Sequence, residues 1–284
     1  MASEYQLYLT KTYKYGLIGH PINHSLSPAL FRAGFNGLYR YDLIEDDDFK
    51  RAFERFHEEY DAINVTSPFK ETACQSADVL SAECKAIEAC NVLIKTVDGI
   101  LAANTDFTAV IKCLIPHQVA STVPPITVVV GCGGAGKAAA YAACELGNKV
   151  IILNRTLSKA EQFAEHLSQI NNRYDVMAKP IEEFCKWFKK AGTVIYTLPL
   201  PIEQLEKLKK SDIRGHIFGC RPKVILEANY KSPSFTEPML KALQTENPKI
   251  SYINGKEWLL EQAIEAFSLF TGREPNIQEM IKVI

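Results

Sequence analysis

Residues Ile126–Arg155 read ITVVVGCGGAGKAAAYAACELGNKVIILNR. Ile126–Val130 is an apolar run rich in β-branched residues, the pattern of a strand buried on both faces. It stops at Gly131, and Gly131, Gly133 and Gly136 then spell G-x-G-x-x-G. Ala138, Ala139, Ala140, Ala142, Ala143 and Leu146 follow as a tightly packed helix that Gly147 closes, and Lys149–Leu153 reads as a second buried strand. Strand, glycine turn, helix and strand is the order of a dinucleotide-binding βαβ unit. Glycines let the turn bend and let backbone N–H groups approach a pyrophosphate, whose charge sits at the positive end of the helix. Gly131, Gly133, Gly134, Ala135 and Gly136 are thus candidate cofactor contacts; the bland alternative is a structural glycine turn.

The residues after the second strand select the cofactor. NAD-binding units usually carry Asp or Glu there, accepting from the ribose hydroxyls. This chain has Asn154, Arg155 and Thr156, with Lys159 one helical turn on. A carboxylate would repel a 2′-phosphate, whereas an arginine fork pairs with it. The sequence therefore predicts NADP, against an ordinary solvated arginine followed by a helix-capping Thr156.

The 284 residues suffice for two domains of ordinary size, and 47% hydrophobic residues suffice for substantial cores. The formal net charge is −1, with lysines and arginines scattered, which argues against nucleic acid or an anionic membrane as partner. The N-terminus MASEYQLYLTKTYKYG lacks the apolar core and cleavage site of a secretory signal. No stretch demands a membrane span. The eight cysteines form no C-x-x-C and the six histidines show no paired ligand spacing, so no metal site is expected. Reduced thiols in a cytoplasmic protein are the reading.

Before the glycine turn, Tyr15–Ile18 reads as a strand ending at Gly19, followed by the loop GHPINHSLSP and a helix from Pro28. Ser27 reads either as an N-cap ahead of Pro28 or, with Ser25, as one of two hydroxyls turned the same way to hold a polyol or carboxylate. Tyr39–Ile44 is a predicted strand; Phe49, Phe53, Phe56 and Tyr60 mark one face of an amphipathic helix led by Glu45–Asp48. Ala62–Val65 is another strand, and Thr66-Ser67-Pro68-Phe69 puts Lys70 in the first turn of a helix. The helix dipole opposes a permanent cation there, which suits a lysine to proton transfer; the alternative is a surface lysine. Asn91 falls at the start of strand Val92–Lys95, Asp98–Gly99 is a hairpin signal, and Ile100–Ala103 runs into Asn104-Thr105-Asp106. Ligands gather at strand C-termini in open α/β sheets.

HPINHSLSP, NVTSPFK, ANTD, GCGGAG and NRTLSKA, in that order, resemble the shikimate dehydrogenase family from about Gly16 to the C-terminal helix. The resemblance implies an α/β fold with an N-terminal substrate domain, residues 1–106 completed by 256–284, and a doubly wound Rossmann-type NADP domain, 107–255. It implies reversible reduction of 3-dehydroshikimate to shikimate. Ser25 and Ser27 match the family's carboxylate-binding serines, Thr66 a substrate-hydroxyl contact, and Asn91 a ring-hydroxyl contact. Lys70 and Asp106 match the catalytic pair, Tyr230 a substrate-side hydroxyl, and Gln262 a substrate-binding glutamine.

The chain departs from the pattern in several places. Tyr196-Thr197-Leu198-Pro199 stands where the family usually has Asn-Ala-Thr near the nicotinamide, Glu227 where it has Asp, and Trp258 where it has Met. Ala102 and Phe107 replace the glycine-rich flanks of ANTD. A quinate/shikimate-type paralogue and a non-catalytic dinucleotide-binding regulator are the alternatives. A monomer or homodimer is expected.

Overall fold

A computed structural model describes residues 13–118, 123–216 and 219–284. Most of the N-terminal stretch read for a secretory signal lies outside the described residues, as do 119–122 of the loop before the glycine-turn strand. The chain divides into two compact units. The first holds the chain up to Ser81, Cys90–Thr105 and Ala263–Ile284; the second holds Ala82–Ala89 and Asp106–Gln262.

The first unit is built on six strands: β1 (Lys14–Gly19), β2 (Arg40–Glu45), β3 (Ala62–Val65), β4 (Val79–Leu80), β5 (Val92–Thr96) and β6 (Gly99–Ala103). Their order is β2-β1-β3-β5-β6-β4. β5 is antiparallel to both neighbours, and the other pairs are parallel. The C-terminal ends of β1, β3 and β6 and the N-terminal end of β5 therefore lie at one edge. The hairpin turn is Val97–Asp98, one residue earlier than the sequence signal, with Gly99 taking φ +108° as the first residue of β6.

Aromatic packing closes this unit. Phe31 of the helix Ser27–Gly34 meets Phe267 edge-on at 4.7 Å, and Tyr15 of β1 stacks on Phe270 at 5.5 Å. The Tyr15 hydroxyl donates to the Phe270 carbonyl at 3.1 Å. The end of the helix Gly255–Thr271, from Ala263 on, is thus part of the first unit; residues 256–262, Ala82–Ala89 and Asp106 group instead with the second, which differs from the bounds 1–106 and 256–284 expected above. In the helix Phe49–Glu59, Asp48 is the N-cap and accepts from the N–H groups of Lys50 and Arg51. Asp46 and Asp47 pair with Arg51, so the acidic run serves a helix start.

The second unit carries β7 (Ile126–Val130), β8 (Lys149–Asn154), β9 (Val176–Pro180) and β10 (Thr193–Tyr196). A small ribbon of β11 (Gly215–His216) and β12 (Gly219–Cys220) follows, then β13 (Lys223–Glu227) and β14 (Ile250–Ile253). The main sheet is parallel throughout, in the order β14-β13-β10-β7-β8-β9. Renumbered within the unit, this is the doubly wound order 3-2-1-4-5-6. Alternate residues enter different cores: Val129, Val150, Ile152 and Ile195 one, Val128, Val130, Ile151 and Val194 the other. Burial on both faces explains the continuous apolar runs.

β4, β9 and β14 were not legible as strands. β4 has two residues, β9 is half-buried throughout, and β14 has four residues at the sheet edge.

Candidate functional site

The cofactor-side candidates lie in the second unit where the strand order reverses, between β7 and β10. The glycines there have different causes. Gly131 ends β7 at φ +105°, its N–H bonds Leu153 O at 2.8 Å, and a Cβ would stand 2.6 Å from Thr197 Oγ1. Gly136 presses against the Gly131 carbonyl. Gly133 is different: its backbone is extended and exposed, and nothing lies within 4 Å of where a Cβ would be. Packing within the protein therefore accounts for Gly131 and Gly136 but not Gly133, which leaves room for a ligand to approach the backbone. The helix Gly134–Glu145 begins at this point, so the N–H groups of Gly134, Ala135 and Gly136 belong to its first turn. This arrangement fits a dinucleotide pyrophosphate.

At the end of β8, Asn154 donates to the Thr156 carbonyl at 2.9 Å and braces the turn that presents Arg155. Arg155 is exposed and forms no ion pair among the described residues. Thr156 is the N-cap of Leu157–Ile170, but its side chain makes no capping hydrogen bond. The bland capping reading of Thr156 therefore fails at the level of its hydroxyl. Lys159 is half-buried in the first turn of the same helix. Beyond β10, Thr197 Oγ1 donates to Val130 O at 2.8 Å and buried Tyr196 donates to Leu200 O at 2.7 Å. The departure at 196–199 thus supplies one tie to the end of β7 and one within its own loop.

The substrate-side candidates of the first unit share the edge described above. The Ser25 hydroxyl donates to Ser27 Oγ at 3.1 Å, and Ser27 N–H donates back to Ser25 Oγ at 3.2 Å. Ser27 is the first residue of its helix, not the N-cap; Leu26 holds that place without a side-chain bond. The N-cap alternative fails because the helix already includes Ser27, so the cap position falls one residue earlier, on Leu26. Burial pushes the pKa of the Tyr41 hydroxyl strongly upward. Tyr41 donates to Asn64 Oδ1 at 2.8 Å, and Asn64 Nδ2 donates to Asn91 O at 3.2 Å. Asn91 then grips Thr105 through two side-chain bonds of 2.8 and 2.7 Å. Hydrogen bonds thus pair Ser25 with Ser27, and a separate run leads from Tyr41 through Asn64 and Asn91 to Thr105. Tyr41 and Asn64 extend that run; the sequence reading named neither for this purpose.

Thr66 follows β3, its N–H bonded to Ile18 O at 2.9 Å. Lys70 is the first residue of the helix Lys70–Gln75, with Phe69 as N-cap, so Pro68 precedes the helix instead of opening it. The Lys70 carbonyl accepts from Cys90 N at 3.0 Å, tying the start of this helix to the residue before Asn91.

The remaining candidates belong to the second unit. Asp106 lies in the first turn of the helix Thr105–Leu114 and not at a strand end. A carboxylate is favoured at that helix end. Asp106 is buried, and its Oδ1 accepts from Trp258 Nε1 at 3.0 Å. Phe107, the bulky flank, stacks on Tyr141 at 4.9 Å.

Tyr230 is half-buried, and its hydroxyl has no hydrogen bond among the described residues. Its loop is held by Glu227, which is fully buried and accepts from Ser234 N, Phe235 N and the Tyr252 hydroxyl. Glu227 at this position is thereby explained as a loop anchor. Gln262 is half-buried, and its Nε2 folds back onto Leu259 O at 3.1 Å. Among the described residues no cluster of three metal-ligating side chains occurs, and no helix is long and apolar enough to cross a membrane.

Family models match along the chain: the shikimate dehydrogenase substrate binding domain at 17–93, the alanine dehydrogenase/PNT C-terminal domain at 108–213, and the shikimate 5′-dehydrogenase C-terminal domain at 259–284. A protein named shikimate dehydrogenase (NADP(+)) from Aquifex aeolicus is 31% identical over 275 residues, covering 93% of each chain. A crystal structure of a shikimate dehydrogenase in complex with NADP+ matches with TM-score 0.77 at 25% identity, covering 96% of this chain and 94% of that one. A quinate dehydrogenase from Corynebacterium glutamicum, in complex with NAD, also gives 0.77, over 96% of this chain and 98% of its own; at 22% identity this is a likeness of fold alone.

Proposed function

This chain belongs to the shikimate dehydrogenase family, and we propose that it is an NADP-dependent oxidoreductase that interconverts 3-dehydroshikimate and shikimate in aromatic biosynthesis. The observation that carries the reading is the sheet edge that gathers Ser25, Ser27, Thr66, Lys70 and Asn91, with Ser25 bonded to Ser27 and Asn91 to Thr105. Domain roles follow: the first unit as substrate domain, the second as NADP domain.

Ser25 and Ser27 receive the substrate carboxylate, two hydroxyls being suited to donate to its oxygens. Thr66, Asn91, Tyr230 and Gln262 hold ring hydroxyls. Gly131, Gly133, Gly134, Ala135 and Gly136 offer the pyrophosphate its turn and helix N-terminus. Asn154, Arg155, Thr156 and Lys159 take the adenosine 2′-phosphate, with the Arg155 fork as principal cation. Bound NADP supplies the hydride acceptor for alcohol oxidation and, reduced, the donor for the reverse.

As the carbinol C–H electrons leave, the C3 hydroxyl proton passes to the Lys70 amine and the C–O bond becomes a carbonyl. In reduction Lys70 returns that proton to the developing alkoxide. Asp106 orients the hydrogen bonds around this transfer. Proton transfer of this kind contributes about 10²–10⁴ in rate, and contact between hydride donor and acceptor supplies much of the rest. The eight cysteines, none in a disulfide, suit a reducing cytoplasm.

Absorbance of NADPH tests the assignment, with shikimate and quinate each paired with NADP and NAD. Rapid NADPH formation with shikimate is the expected result. Turnover confined to quinate or to NAD would move the chain to a paralogous activity. Binding without any reduction, in folded protein, would make it a regulator.

A further inference from the structure

Trp258 is one of two tryptophans in the chain and is 4% exposed. It stands in the first turn of the helix Gly255–Thr271, whose start is pressed against the backbone of Ala228 and Tyr230. A Cβ at Gly255 would come within 2.8 Å of Tyr230 N, so this end of the helix has little freedom to shift. The indole shares its core with Ala109, Val110 and Cys113 of the helix that begins at Thr105. Its Nε1–H reaches Asp106 Oδ1 at 3.0 Å, a buried bond between residues 152 positions apart.

An aspartate's terminal torsion is broad, so its two oxygens are not oriented by rotamer preference alone. An indole has one donor and no acceptor, and a buried one needs a partner. Here the only strong donor on a rigid, core-packed ring points at one carboxylate oxygen. We propose that Trp258 is a positioning residue for Asp106: it clamps Oδ1 and so presents Oδ2 to the reacting groups in one orientation. A methionine, usual here in the resembling family, has no N–H and cannot do this. The inference rests on Asp106 as a member of the acid–base pair; the bond itself does not.

The test uses Trp258→Phe, which keeps an aromatic ring without the donor, and Trp258→Met as a second variant should the first not fold. Both are compared with wild type and Asp106→Ala by melting temperature, kcat and KM for shikimate at saturating NADP. The indole ¹⁵N–¹H resonance of Trp258, identified by its loss in Trp258→Phe, is recorded in Asp106→Ala. The expected result is a folded variant with kcat about tenfold lower and KM nearly unchanged, as for a lost bond to a charged group. The Trp258 resonance moves upfield in Asp106→Ala. Wild-type kcat in a folded Trp258 variant, or an unmoved resonance, overturns the positioning role. An inactive wild type, or a fully active Asp106→Ala, overturns the acid–base reading beneath it and the proposal with it.

Discussion

Asn91 and Thr105 hold each other by a reciprocal pair of hydrogen bonds: Asn91 Nδ2 donates to Thr105 Oγ1 at 2.8 Å, and Thr105 N–H donates to Asn91 Oδ1 at 2.7 Å. Both residues are buried, and they flank the β5–β6 hairpin at the edge from which the substrate-side candidates project. The pair fixes where β6 ends and where the helix bearing Asp106 begins.

Asn91→Leu removes both bonds and leaves the Thr105 N–H buried without its acceptor. A loss of about 2–4 kcal/mol is expected. A lowered urea midpoint at unchanged m-value checks it. A midpoint within experimental scatter of wild type contradicts the pairing.

The glycines of the turn separate packing from binding. Gly133→Ala meets open space and should leave the melting temperature unchanged while weakening NADP binding, because the methyl occupies the space a pyrophosphate would use. Gly131→Ala meets Thr197 Oγ1 at 2.6 Å from a backbone with φ +105° and should destabilise by about 1–3 kcal/mol. Calorimetric titration with NADP and thermal melts of both variants separate these outcomes.

Arg155→Ala should raise Kd for NADP by about 10- to 100-fold, the worth of a charge-assisted pair, and leave NAD binding nearly unchanged. Equal losses for the two cofactors would show that Arg155 serves adenine or general fold, not the 2′-phosphate.

Lys223 is a buried cation in the second unit, donating to the carbonyls of Phe188 and Ala191 at the end of the helix Phe184–Lys190 and lying 4.5 Å from the Phe188 ring centroid. Burial, aided by the nearby Arg221 cation, pulls its amine from 10.5 down to about 7. Between those values the unfolded chain holds a proton that the folded chain has released, so stability rises with pH through this window. The gain is complete above 10.5 and is lost as pH falls through about 7. Lys223→Met should abolish this contribution, at most ~1.4 kcal/mol per pH unit. Urea midpoints of both proteins across the window check the sign; parallel pH profiles contradict it.

Much of this was legible because it is local. The turn at Gly131–Gly136 is written in residues whose backbone conformation or close contacts permit little else, and the doubly wound strands announce themselves by two-sided burial. Ser27 was open to misreading because a serine before Pro28 has the pattern of an N-cap; that the helix starts at Ser27 itself, with Leu26 as cap, depends on the loop's path. Asp106 looked like a strand-end residue because the grip of Asn91 on Thr105 joins positions 14 apart. Trp258 stood out only as bulk in place of methionine, since its bond to Asp106 spans 152 positions. Lys223 gave no sign at all: a lysine at the start of a strand reads as solvated until the fold buries it.

The proposed reaction turns on Lys70 carrying the proton. The most direct test is steady-state kinetics of Lys70→Ala with shikimate and NADP, with a melting curve to establish folding. The expected kcat is lower by about 10²–10⁴, with KM for shikimate nearly unchanged. A large rise in KM at normal kcat would make Lys70 a binding residue and contradict the mechanism.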